Sequence, residues 1–357
     1  MRRLCGAFVF AAIPFCFGAN FTSAAEPVRI GVLGFDNYQG FAYAQLLNNP
    51  KAEGDLIGAQ VTAVYPLAGE NYPEAAKLRD QWQAQAARFG TEAKGPLKDY
   101  RKIEFVDSVE ALLKQSDVVL LMTLDGRDHV RQAEAVLKAG KPLYIGRPAA
   151  TSLADVKTLF ALAASTGTPC WSSSQHRFSP GFIGMRDHAE VGRVLGCDVY
   201  GGFDLAAAEA DKPIRALHSL ETLYTIMGPG VATVAAASTP GGELYTLTWT
   251  DGRIGTYRGI TTGKVKYSAT VFGEAGVSTA GVYGHGVPVQ GVVPTKDKYM
   301  GYEGICREIA RFAKTGVVPV PPSETLEIFA VLETAELSKL RGGVPIRVAE
   351  VLQSSAK

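Results

Sequence analysis

Val28-Arg29-Ile30-Gly31-Val32-Leu33-Gly34-Phe35-Asp36-Asn37-Tyr38-Gln39-Gly40 is the stretch that decides the architecture. Val28 to Leu33, rich in branched aliphatic side chains, reads as a short strand that Gly34 closes. Phe41 to Leu47 then reads as a helix, and the alternation continues outward. Ala59 to Tyr65 is the next strand, closed by Pro66, and a polar helical stretch runs from about Tyr72 to Phe89. Strands at Ile103 to Val106, Val118 to Met122, Leu143 to Ile145 and Pro169 to Ser172 are separated by helices near 108–114, 128–139 and 152–165. Strands and helices in this rhythm mean a parallel sheet covered on both faces. Residues 26–175 are therefore expected to form a doubly wound α/β domain.

Beyond residue 176 the rhythm changes. Val199 to Leu205, Val231 to Ala237, Glu243 to Thr250, Arg253 to Gly259 and Ala269 to Phe272 are strand-like, and Asp251-Gly252 is a hairpin turn signal. Helices are expected at 216–227, 302–314 and 324–339. Residues 176–357 thus read as an α+β domain with a largely antiparallel, open-faced sheet.

Composition agrees with two domains: 357 residues, 46% hydrophobic and 20% charged. Lys plus Arg number 36 against 35 Asp plus Glu, and no stretch is strongly basic, which excludes a nucleic-acid partner. Residues 1–25 read as a leader. Arg2-Arg3 precede an apolar run from Leu4 to Gly18, shorter than the roughly 20 residues a spanning helix needs, and Ser23 and Ala25 suit a peptidase. The expectation is export to the periplasm by the general secretory route, rather than the twin-arginine one, with no membrane anchor after cleavage. Removing two leader arginines from a net charge of +1 leaves −1. Three cysteines remain, Cys170, Cys197 and Cys306, read as buried small hydrophobes. Neither they nor the five histidines have metal-ligand spacing, so no metal is expected.

Ligands of doubly wound sheets sit at the carboxyl ends of the strands. In a dinucleotide fingerprint, glycines there let the backbone approach pyrophosphate at a helix N-terminus. Here Gly34 and Gly40 are present, but Asp36 stands where the second glycine would be. Its charge would repel pyrophosphate unless it turns away. The second strand ends Val64-Tyr65-Pro66, without the acid that holds ribose hydroxyls and without an arginine for a 2′-phosphate, so NAD and NADP both stay open.

Further on come Asp117 to Thr123, His129, and Ala139-Gly140-Lys141-Pro142-Leu143-Tyr144-Ile145-Gly146-Arg147-Pro148. Downstream lie Phe178-Ser179-Pro180, His218 to Gly228, Trp249 to Arg253 and Val271 to Gly276. In this order the motifs resemble the Gfo/Idh/MocA oxidoreductases, and in particular their exported, signal-bearing branch. The resemblance implies an N-terminal Rossmann domain binding NAD or NADP. It also implies a C-terminal sheet domain that faces a small carbohydrate-like substrate and commonly forms a homo-oligomer interface. It places cofactor contacts at Gly34, Phe35, Asp36, Asn37, Gly40, Thr123, His129, Arg147 and Pro148. Arg147, His218 and Glu221 become the catalytic candidates, and His176, Arg177 and Tyr224 the substrate candidates.

Two of these positions depart from the family pattern. Glu-Lys-Pro reads Gly146-Arg147-Pro148, and arginine donates hydrogen bonds or clamps a carboxylate but cannot shuttle a proton. The aspartate four residues before the site histidine is Ile214. His218 has the right range for acid–base work, and Glu221, three residues on, shares its helix face. Against each functional reading stands a plainer one: Arg147 vestigial, His218 a satisfied buried histidine, His129 a first-turn residue, Tyr224 core, His176-Arg177 a surface loop. Two functional classes remain. One is an oxidoreductase moving a hydride on a sugar- or cyclitol-like alcohol with a retained cofactor, of which a NAD-assisted glycosidase is a variant. The other is a non-catalytic sugar-binding protein on a degenerate scaffold.

Overall fold

A computed structural model describes residues 26–202, 216–263, 266–282, 284–286 and 301–354. The leader, and Ile214 with its neighbours, lie outside the described residues. The first unit alternates β1 (Val28–Leu33), α1 (Tyr38–Leu47), β2 (Ala59–Tyr65), α2 (Ala75–Ala86), β3 (Glu104–Phe105), α3 (Val109–Lys114), β4 (Val118–Leu121), α4 (His129–Lys138), β5 (Leu143–Gly146), α5 (Leu153–Thr166) and β6 (Cys170–Ser173). All six strands are parallel, in the order β3-β2-β1-β4-β5-β6. Strand order reverses between β1 and β4, which opens a crevice beyond their carboxyl ends. Local chemistry sets the helix ends. Ser152 caps α5 by accepting from the Asp155 amide at 3.1 Å, and Gly167 ends it at φ +64°.

The second unit contains β7 (Val194–Gly202), α6 (Leu217–Met227), β8 (Val231–Thr239), β9 (Gly242–Trp249), β10 (Ile254–Ile260), β11 (Ser268–Gly273), β12 (Val277–Gly281) and β13 (Gly284–Gly286). After it come α7 (Glu303–Thr315), α8 (Pro322–Leu340), β14 (Ile346–Arg347) and α9 (Val348–Ser354). Its eight strands run β13-β12-β11-β7-β10-β9-β8-β14, antiparallel except where β7 and β10 pair in parallel. Asp251-Gly252 makes the expected β9–β10 hairpin, with Gly252 at φ +88°. β12, β13 and β14 escape the sequence pattern. Val277-Ser278-Thr279-Ala280-Gly281 is too weakly apolar to stand out, and becomes a strand by pairing with β11.

One segment departs from the expected partition at residue 176. α7 packs on the first sheet, not the second: Ile305, Cys306, Ile309 and Phe312 share a core with Tyr43, Leu47, Tyr144 and Trp171. The reason lies in the winding. α1 and α2 cover β1 to β3 on one face and α4 and α5 cover β4 to β6 on the other, leaving Tyr144 and Trp171 bare on the α1 side. α7 fills that gap, with Phe312 5.9 Å from Trp171 between ring centroids and Arg311 paired to Asp55 at 2.6 Å. Cys170, Cys197 and Cys306 are buried free thiols. Among the described residues no helix is long and apolar enough to cross a membrane, and no metal-binding group of His, Cys, Asp and Glu occurs.

Candidate active site

The crevice end of β1 is ordered by its own side chains. Gly34, at φ +91°, turns where a Cβ would lie 2.5 Å from the Thr123 amide nitrogen, so only glycine fits there. Asp36 is fully buried, and its carboxylate accepts from the Leu124 amide at 2.9 Å and the Gly69 amide at 2.8 Å. Burial raises its pKa, while those amides oppose the rise. Asn37 caps α1, accepting from the amides of Gln39 at 2.8 Å and Gly40 at 3.2 Å, and donates to the Met122 carbonyl. Phe35 is buried in the core below. The loop after β2 is clipped to the same place: Asn71 donates to Asp125 at 2.6 Å, and Arg127 lies over the Tyr72 ring.

His129 is fully buried, with Nδ1 3.2 Å from the Ala149 carbonyl and Nε2 3.0 Å from that of Thr123. Thr123 in turn donates to Gln132 at 2.6 Å. The ring ties the end of β4 to the chain beyond β5. As a cofactor contact His129 is therefore corrected: both nitrogens are engaged inside the protein, and burial lowers its pKa.

The chain leaves β5 through the cis Arg147–Pro148 peptide. The Arg147 guanidinium is partly buried among the hydroxyls of Tyr43, Tyr144, Tyr267 and Tyr302, and burial weakens its hold on its proton. Its Nε is buried without a partner, and it makes no ion pair among the described residues. The end of β6 brings in the rest. Ser174 Oγ lies 2.6 Å from Nδ1 of His218 on α6, and the His176 ring lies 4.7 Å from that of His218 and 4.4 Å from Tyr267. Burial and the charge of Arg147 push His176 down to about 4, and the same causes, with His176 added, put His218 well below its ordinary value. Both imidazoles are neutral at pH 7.

Three sequence assignments are corrected by this geometry. Glu221 does not touch His218. It accepts from the Ser174 amide at 3.2 Å, Ser173 Oγ at 3.1 Å and Arg177 Nε at 2.6 Å, so it positions the serine that holds the histidine. Arg177 is buried and bridges Glu221 and Glu324, so its charge is paired although one Nη is left without a partner. Tyr224 is fully buried and donates to Glu327 at 2.8 Å, a carboxylate that also accepts from the amides of Gly230 and Val231. In each case a charged or hydroxyl group is consumed by a neighbour on another element. Ser174 and Tyr267 were missed, because neither has a sequence spacing that relates it to His218.

Residues 28–174 match the family model described as Gfo/Idh/MocA oxidoreductase family, NAD-binding Rossmann fold. The match covers the first domain and not the second. Two curated relatives match part of the chain: the uncharacterized oxidoreductase YhhX of Escherichia coli, 28% identical over 34% of this chain and 36% of that protein, and the myo-inositol dehydrogenase Hyg17 of Streptomyces leeuwenhoekii, 32% identical over 24% and 27%. The chain thus spans only about a third of the length of these relatives. Across 90% of the chain the fold superposes on the myo-inositol dehydrogenase of Lactobacillus casei, solved in complex with NAD(H) and myo-inositol. That match covers 96% of the solved chain at TM-score 0.65 and 15% identity, which shows the shared fold.

The crevice beyond β1 and β4 fits a dinucleotide. Asp36, the one charge that would repel pyrophosphate, spends both oxygens on Gly69 and Leu124 and faces away. The amides of Asn37 and Tyr38 have no hydrogen-bond partner among the described residues, and they lie at the positive end of α1, where an anion is favoured.

Proposed function

We propose that the protein is a NAD(P)-dependent oxidoreductase acting on a sugar- or cyclitol-like alcohol. The observation that carries this reading is the convergence of Arg147, His176 and His218 at the carboxyl ends of β5 and β6, beside the crevice that fits the cofactor. The myo-inositol dehydrogenase names of a curated relative and of a fold neighbour support the substrate class. When bound, the nicotinamide supplies the hydride donor or acceptor. Arg147 Nε, unpaired, donates to the bound substrate and stabilises negative charge there. His218 exchanges the proton.

Ser174 makes that exchange reversible. Its hydroxyl donates to a bare Nδ1 or accepts from a protonated one, so the imidazole can change tautomer without moving. Glu221 holds Ser174 in place through its amide. With its pKa well below the ordinary value, His218 stands neutral, the form in which an imidazole accepts a proton.

The absorbance and mass spectrum of the denatured, purified protein, with calorimetry on added NAD(H), test the proposal. Released NAD(P), or binding of added NAD(H), is the expected result. A protein that is empty and binds neither form would sink the oxidoreductase and leave the sugar-binding reading, which draws on arginine in the lysine position.

A further inference from the structure

Two arginines flank β6 in the chain, and among the described residues only one has counter-ions. Arg177 is bracketed by Glu221 and Glu324. Arg147 is surrounded by uncharged tyrosines and by two imidazoles that burial, and after it the Arg147 charge, keep neutral. Its Nε is a buried donor with nothing to donate to, and the neighbouring His176 Nδ1 is buried and unpartnered as well. Buried charges are normally paired, and buried donors normally bonded. A site that keeps a fixed, permanently protonated cation unpaired is suited to an anion brought from outside. The planar fork of arginine matches a carboxylate, while lysine presents only a point charge. A neutral polyol satisfies the donors but leaves the charge uncompensated.

We infer that the substrate is a sugar acid of the aldonate kind, its carboxylate gripped by Arg147 and its 2-hydroxyl turned toward His218. The inference rests on the oxidoreductase reading only for the reaction; the carboxylate site stands on Arg147 itself. In the oxidative direction the C2–H hydrogen leaves as hydride to the oxidised nicotinamide. The hydroxyl proton goes to His218, and the carbon–oxygen double bond forms, giving the 2-keto acid. A bound carboxylate also offsets the Arg147 charge that holds down both histidines. It thereby removes one cause of the lowering at His218, with burial remaining the larger.

Calorimetry with D-gluconate, D-glucose and myo-inositol as probes, each with and without NAD+, tests this. Gluconate should bind at least about 30-fold more tightly than either neutral probe, and Arg147→Met should remove that preference. The same variant should raise the melting temperature, because a cation with no counter-ion has been removed. Arg147→Lys, which keeps the charge but loses the fork, should fall between. Equal or tighter binding of the neutral probes, no binding of gluconate, or an Arg147→Met protein that keeps the gluconate preference would each overturn the inference. Arg147-dependent gluconate binding by a protein that never binds NAD+ would instead sustain the carboxylate site and remove the oxidoreductase. NAD+ binding with a preference for the polyols would do the reverse.

Discussion

The two ends of the crevice treat polar groups in opposite ways. At β1, Asp36 and Asn37 each meet two backbone amides, and the clipped loop after β2 completes the network. At β5 and β6, Arg147 Nε and His176 Nδ1 stay buried and unbonded. The charge at the first end is consumed by the fold and shapes the wall of the site. The charge at the second end is left over, and it is the part available for chemistry. The Arg177 charge is paired with two carboxylates although it lies within a few residues of the second end and one of its Nη atoms is unbonded. Residue type therefore does not separate wall from site; the state of the partners does.

Breaking a consumed charge should cost the fold most. Arg177→Met strands Glu221 and Glu324 in the interior and is expected to destabilise by about 3–5 kcal/mol in urea unfolding. A neutral effect would mean the network is better solvated than its burial indicates. The next effect needs no mutation. His176 titrates at about 4 when folded and near 6.5 when unfolded, so between those values the unfolded chain binds the extra proton. Stability should be full above pH 6.5 and fall by roughly 3 kcal/mol as the pH drops toward 4. His176→Asn should flatten that part of the stability–pH curve. The smallest effect sharpens the role of the fingerprint loop. Asp36→Ala strands the Gly69 and Leu124 amides and should cost about 2 kcal/mol, with NAD+ affinity changing little. A large gain in NAD+ affinity would show that Asp36 does repel the cofactor after all.

Much of this was legible in order along the chain. Alternation of apolar runs and helical stretches specified the first sheet, because strand and helix periods are local properties. Gly34 and the Asp251-Gly252 turn were readable for the same reason. The departure at Asp36 was visible, yet its consequence was not, since the answering amides come from residues 69 and 124. The shared helix face of His218 and Glu221 was also readable, but the groups that the face meets arrive from β6.

The sequence by itself determined the doubly wound first domain, the hairpin-rich second one and the residue types brought to the strand ends. These follow from backbone propensity and hydrophobic period, which act over a few residues. Only the tertiary structure decided that α7 returns to the first sheet, that Ser174 rather than Glu221 meets His218, and that Arg177 is paired while Arg147 is not. Pairing and burial depend on atoms distant in sequence, and at low dielectric they determine which charges are consumed by the fold and which remain for a ligand.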